Sequence, residues 1–169
     1  MVELCLKICH YAERASSARK FKFLKMILAV FAVVAIANAQ TASLTLGSGA
    51  GAPGSNVTLN LTLAAGGTQP AALQWTLQYS PSDISGVTAA IGAAANSAGK
   101  AVTCTTASGS ALCVIFGLNQ SIIGDGPVAQ LTFTLAPGTT SPSTAIQVTQ
   151  VVLSDSTGAS IPVDGGSKL

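Results

Sequence analysis

The chain has 169 residues, 49% of them hydrophobic and only 8% charged, with a formal charge of +2. That length suits one domain rather than two. Six of the eight basic residues (Lys7, Arg14, Arg19, Lys20, Lys22, Lys25) precede position 26, so no basic patch is left to recognise nucleic acid.

From the N-terminus, the first feature is an unbroken apolar run at 26–37, MILAVFAVVAIA. It is 12 residues long, whereas a membrane-spanning helix needs roughly 20. Basic residues lie before it, and Ala37-Asn38-Ala39 follows with small residues at the −3 and −1 positions of a cleavage site. This pattern predicts a secretory signal, hence a leader and signal peptide at 1–39, a domain at 40–169, and no membrane span after cleavage. The domain then holds Lys100 and Lys168 against Asp83, Asp125, Asp155 and Asp164, a formal charge of −2.

Strand signals recur from Ala42 onward. Apolar residues occupy every second place in Val57-Thr58-Leu59-Asn60-Leu61-Thr62-Leu63, in Leu73-Gln74-Trp75-Thr76-Leu77-Gln78-Tyr79, and in Val128-Ala129-Gln130-Leu131-Thr132-Phe133-Thr134-Leu135. Period two gives each strand one buried and one polar face. The run CVIFGL at 113–118 is apolar throughout and predicts a strand buried on both sides. Further strands are expected near 42–46, 85–91, 100–106, 144–153 and 158–163. The alanine-rich piece 89–98 admits one helical turn. Turn sequences such as Ala52-Pro53-Gly54-Ser55, Ser80-Pro81-Ser82-Asp83 and Gly124-Asp125-Gly126-Pro127 separate the runs. About nine short strands punctuated in this way predict an all-β sandwich.

Two cysteines lie in the domain. Eight residues, TTASGSAL, separate Cys104 from Cys113, and the central Ser-Gly-Ser reads as a hairpin turn. In an oxidising compartment this pair is expected to form a disulfide. The domain has no His and no other Cys, so neither a metal site nor a cofactor is expected. Its four Asp all lie in turn-like sequences, where Asx-turn chemistry accounts for them. No catalytic residue is assigned. Trp75, Tyr79, Phe116 and Phe133 are its aromatic residues. All four are expected to point inward, which leaves no flat aromatic platform for sugar.

The order of motifs resembles the cohesin family along 42–163. Pro53-Gly54-Ser55-Asn56-Val57-Thr58-Leu59 is similar to that family's G-x-P-G-x-x-V-x-V. Leu73 to Tyr79 with Ser80-Pro81-Ser82-Asp83-Ile84 is similar to F-x-L-x-Y-D-P-x-x-L. Gly124-Asp125-Gly126-Pro127-Val128-Ala129-Gln130-Leu131-Thr132-Phe133 is similar to G-x-G-x-L-A-x-L-x-F. Val152-Leu153-Ser154-Asp155-Ser156-Thr157-Gly158-Ala159-Ser160-Ile161-Pro162-Val163 is similar to the closing L-x-D-x-x-G-x-x-I-x-V. The resemblance implies a nine-stranded jelly-roll sandwich, related in fold to carbohydrate-binding modules. It implies a bacterial protein, extracellular or at the cell surface, with a dockerin-like or other surface protein as partner and a link to polysaccharide breakdown. In dockerin-binding members the strand matching 72–79 opens with an Asn and an Asp that bond the partner. Here those places hold Ala72 and Gln74, and Ser80 stands where the family has Asp.

The expected function is therefore a monomeric, non-catalytic binding module. A carbohydrate-binding module of the same fold and a cell-surface structural subunit are the alternatives. Candidate binding residues are the uncharged polar ones on the outward parity of two strands: Gln74, Thr76 and Gln78, with Gln130 and Thr132. Were the two strands in one sheet, these would form a single flat face.

Overall fold

The computed structural model describes residues 41–164. The expected signal peptide at 1–39 lies outside the described residues. Nine strands and one short helix follow in chain order: β1 (Ser43–Leu46), β2 (Asn56–Ala64), β3 (Ala72–Gln78), β4 (Ile84–Ile91), α1 (Ala93–Ser97), β5 (Ala101–Ala107), β6 (Ser110–Phe116), β7 (Gly126–Leu135), β8 (Gln147–Ser154) and β9 (Ser160–Ile161). Among the described residues no helix is long and apolar enough to cross a membrane.

The strands form two antiparallel sheets in the orders β1-β2-β7-β4 and β5-β6-β3-β8-β9. Each sheet turns its apolar parity toward the other. Leu59, Leu61 and Leu63 of β2 and Leu131 and Phe133 of β7 come from one side, and Leu73, Trp75 and Leu77 of β3 with Cys113 and Ile115 of β6 come from the other. This interdigitated layer is the hydrophobic core. An isolated parallel bridge between Ala42 and Val163 joins the two ends of the domain. There the Ala42 N–H donates to Pro162 O at 3.0 Å and the Asp164 N–H to Ala42 O at 2.7 Å.

The alternating segments lie where the sequence puts them, and the Ala-rich segment gives the single helical turn. Two expectations need correction. The CVIFGL run is not buried on both sides. β6 ends at Phe116, and along it Ala111, Cys113 and Ile115 are buried while Leu112 and Phe116 are exposed. No layer covers the outer face of this sheet among the described residues, so a continuous apolar run does not imply double burial here. The strand expected to begin at 144 begins at 147; the segment before it bends at Pro142 and stays outside the ladder as far as Ile146.

Cys104 and Cys113 face each other in register on β5 and β6 and are joined by a disulfide. The connecting turn centres on Ser108-Gly109, and Gly109 has φ +78°, a conformation that glycine adopts without a Cβ clash. A closed loop of this size constrains the unfolded chain by about 2–3 kcal/mol. Replacing both cysteines with serine is expected to lower stability by about that amount. Urea denaturation of the wild type with added reductant should shift to a similar midpoint.

Candidate functional site

Because neighbours in register share a face, the outer surface of the five-stranded sheet can be read from its pairings. Phe116 lies opposite Ala101 on β5 and Leu112 opposite Thr105. Val114 lies opposite Gln74, which in turn faces Val152 of β8. Leu112 lies opposite Thr76. Leu112, Val114 and Phe116 therefore form an apolar spine on β6, roughly 13 Å long at the usual strand rise, with Val152 beside it. Leu112, Phe116 and Val152 are exposed by 42%, 46% and 41%. The two other exposed large apolar side chains among the described residues, Leu118 and Ile122, belong to the loop that leaves β6. No charged side chain lies on this sheet's strands. An apolar patch concentrated in this way, with an uncharged polar border, is the usual mark of an interaction surface.

The structure separates the candidate residues. Gln74, Thr76 and Gln78 are on β3 of the five-stranded sheet, whereas Gln130 and Thr132 are on β7 of the other. The two groups lie on opposite outer faces of the sandwich and do not make one surface. Their shared parity along the chain carries no information on which sheet a strand joins.

Thr76 is also not free. It is buried, and its hydroxyl donates to Gln150 Oε1 at 2.8 Å. The cause is an irregularity where β8 pairs with β3 between Gln74 and Thr76. Gln150 adopts φ +49° there, a left-handed conformation unusual for a non-glycine residue, and its side chain covers Thr76. Gln150 is thus the polar group presented at this point. Neither it nor the spine of Leu112, Phe116 and Val152 was a candidate on sequence grounds. A signal for the spine did exist: once Cys113 points inward, parity forces Leu112, Val114 and Phe116 outward.

The aromatic expectation needs the same correction. Trp75 and Phe133 are buried and Tyr79 is partly buried, but Phe116 is exposed. Among the described residues one exposed ring does not make an aromatic row.

On the other sheet, Thr58 and Thr132 share a hydroxyl–hydroxyl bond of 3.0 Å, and Thr134 Oγ1 donates to Asn56 Oδ1 at 2.9 Å. These polar side chains satisfy one another on an otherwise solvated face. Lys100, the one cation among the described residues, is buried. Its Nζ donates to Asn119 Oδ1 at 2.8 Å and to Asn119 O at 3.1 Å, pinning the loop after β6. No cluster of three or more metal-ligating side chains is present among the described residues.

No protein-family model and no curated protein matches the sequence. Solved structures resemble it. The sixth cohesin of scaffoldin B from Acetivibrio cellulolyticus, solved in complex with a mutant dockerin, aligns with a TM-score of 0.61 at 19% identity, over 73% of this chain and 93% of that one. The non-cellulosomal cohesin of the archaeon Archaeoglobus fulgidus gives 0.58 at 16%, over 73% and 84%. The cohesin CaCohA2 of Clostridium acetobutylicum gives 0.57 at 20%, over 73% and 84%. The class is thus a two-sheet, nine-stranded jelly-roll sandwich, and within it this domain has the cohesin fold.

Two aspartates are fixed by turns. Asp155 Oδ1 accepts from the Thr157 hydroxyl at 2.7 Å, the Thr157 N–H at 2.8 Å and the Ala159 N–H at 2.9 Å. These bonds, the hydroxyl first, hold its pKa below the usual carboxylate value. Asp83 is lowered in the same direction, chiefly by the Thr139 hydroxyl and then by Ser141. A carboxylate with a depressed folded-state pKa stabilises the protein above its unfolded value of about 3.9, and that stability is lost as pH falls through the folded value. The denaturation midpoint is therefore expected to fall as pH drops below about 4, and Asp155→Asn should flatten that decline in a pH series of urea titrations.

Proposed function

We propose that this domain is a secreted or cell-surface, non-catalytic adaptor that binds a protein partner through the outer face of its five-stranded sheet. The observation that carries the reading is the concentration of exposed apolar side chains on and beside that one face, with no charge among them. The fold supports it, since cohesin structures of this shape have been solved in complex with dockerins. The family resemblance implies partner contacts on the strand matching β3 in dockerin-binding members. Here that strand offers Ala72 and Gln74 instead of Asn and Asp, and the apolar spine lies directly beside it on β6. Recognition then rests on burial of Leu112, Phe116 and Val152, framed by Gln74, Gln78 and Gln150. It does not rest on a charged hydrogen-bond pair. The domain acts as a monomer, and the partner is a dockerin-like module or another surface protein with a complementary apolar face.

The test is capture of one protein from the secreted and surface fractions of the source organism. Phe116→Asp and Leu112→Asp are each expected to weaken that capture by about 2 kcal/mol or more, the size of an interfacial anchor, without changing the melting temperature. Gln130→Lys and Thr132→Lys, on the opposite sheet, should leave it intact. Retention on insoluble polysaccharide alone would overturn the reading, as would loss of capture only in the Gln130 and Thr132 variants.

A further inference from the structure

At one end of the sandwich lies a cleft of about 430 Å³, within the size range of small-molecule sites. Its accessible floor is apolar, formed by the partly buried Val57 of β2, Leu135 of β7 and Ile146, and it abuts the buried core residues Leu59, Ile84 and Phe133. One wall is the irregular segment 139–146 that precedes β8, and the roof is the loop Gly47-Ser48-Gly49-Ala50-Gly51. At its glycines the roof packs against β2. A Cβ on Gly49 would stand 2.8 Å from Leu59 Cδ2, and one on Gly51 would stand 2.5 Å from Val57 Cγ2. The loop is held by Gly47 N–H to Asn60 O at 2.9 Å and, beyond it, by Ser55 N–H to Ala52 O at 3.0 Å.

Among the described residues Asp83 is the one charged residue lining the cleft. Its Oδ1 accepts from Thr139 Oγ1 at 2.8 Å and from Ser141 Oγ at 3.0 Å, which fixes the carboxylate in place and favours its ionised form. Nothing among the described residues neutralises it, since Lys100 is engaged with Asn119 on the loop after β6. An apolar cavity lined by one anchored, uncompensated carboxylate is complementary to a molecule with an aliphatic body and a cationic end.

We propose that this cleft binds small free alkylammonium compounds, with the aliphatic chain on Val57, Leu135 and Ile146 and the ammonium group at Asp83. The site is separate from the β6 spine, so occupancy here does not depend on the partner reading above.

The test is an amide-resonance NMR titration of the disulfide-bonded protein with butyl-, pentyl- and hexylammonium, hexanol and hexanoate. Saturable shifts are expected at Gly49, Val57, Ile84 and Leu135. Affinity should rise roughly fourfold per added methylene, the worth of one buried CH₂. Hexylammonium should bind about fivefold tighter than hexanol, the scale of a solvent-accessible charge pair, and hexanoate weaker than both. Asp83→Asn keeps an acceptor for Thr139 and Ser141 but removes the charge. It should abolish the preference over hexanol and leave hexanol binding unchanged. Nα-acetyl-lysine methylamide carries the same butylammonium end, and its binding no tighter than butylammonium supports a free amine as the occupant. Tighter binding of the lysine amide overturns the free amine. Equal affinity of the three hexyl probes, shifts confined to Leu112 and Phe116, or no saturable shift overturns the site.

Discussion

The structure depends on how Trp75 is buried. Its ring is fully enclosed at the centre of β3, in register with Cys113 of β6. Among the described residues its Nε1 has no hydrogen-bond partner, and an unmet donor costs about 1–3 kcal/mol. Burial of a tryptophan's roughly 150–250 Å² of surface is worth about 4–6 kcal/mol, so the apolar term wins and the ring stays inside. That choice sets the parity of the whole five-stranded sheet. With Trp75 and Cys113 inward, Leu73, Leu77 and Ile115 follow them into the core, and Gln74, Gln78, Leu112 and Phe116 are left facing out.

Strand positions, the disulfide and the helical turn are legible in the sequence because they arise locally. Alternation in β2, β3 and β7 reports burial on one side, and Ser108-Gly109 reports a tight turn between two cysteines. The location of the candidate face is not local. Gln74 and Thr132 carry the same parity, yet they end on opposite outer surfaces, since only long-range pairing of β3 with β6 and β8, and of β7 with β2 and β4, assigns them to sheets. The covering of Thr76 is harder still to foresee. It follows from a single left-handed residue, Gln150, at an irregularity in a strand that pairs with β3 across more than seventy positions.

Among the described residues charge is scarce, and four of the five charged side chains serve the loops. Asp155 organises the β8–β9 turn, Asp125 Oδ1 accepts from the Ala65 N–H at 2.6 Å, Lys100 fastens the loop after β6, and Asp83 gathers the hydroxyls of the segment before β8. Each fixes irregular backbone that no ladder holds. The strands themselves are left neutral, so both outer faces are defined by shape and apolar content rather than by electrostatic field. The two faces differ accordingly: one is a self-satisfied lattice of Thr and Asn, the other an exposed run of Leu, Val and Phe.

The parallel bridge between Ala42 and Val163 has a mechanical meaning. It brings the first and last paired residues of the domain side by side with their chains running the same way. Tension applied through the chain on both sides would pull these neighbours in opposite directions along the strand axis. The two hydrogen bonds at Ala42 would then bear load together, in shear, instead of peeling apart one at a time. A module joined in this manner resists extension where the force enters it, and its core and its outer faces keep their form while the tether is taut.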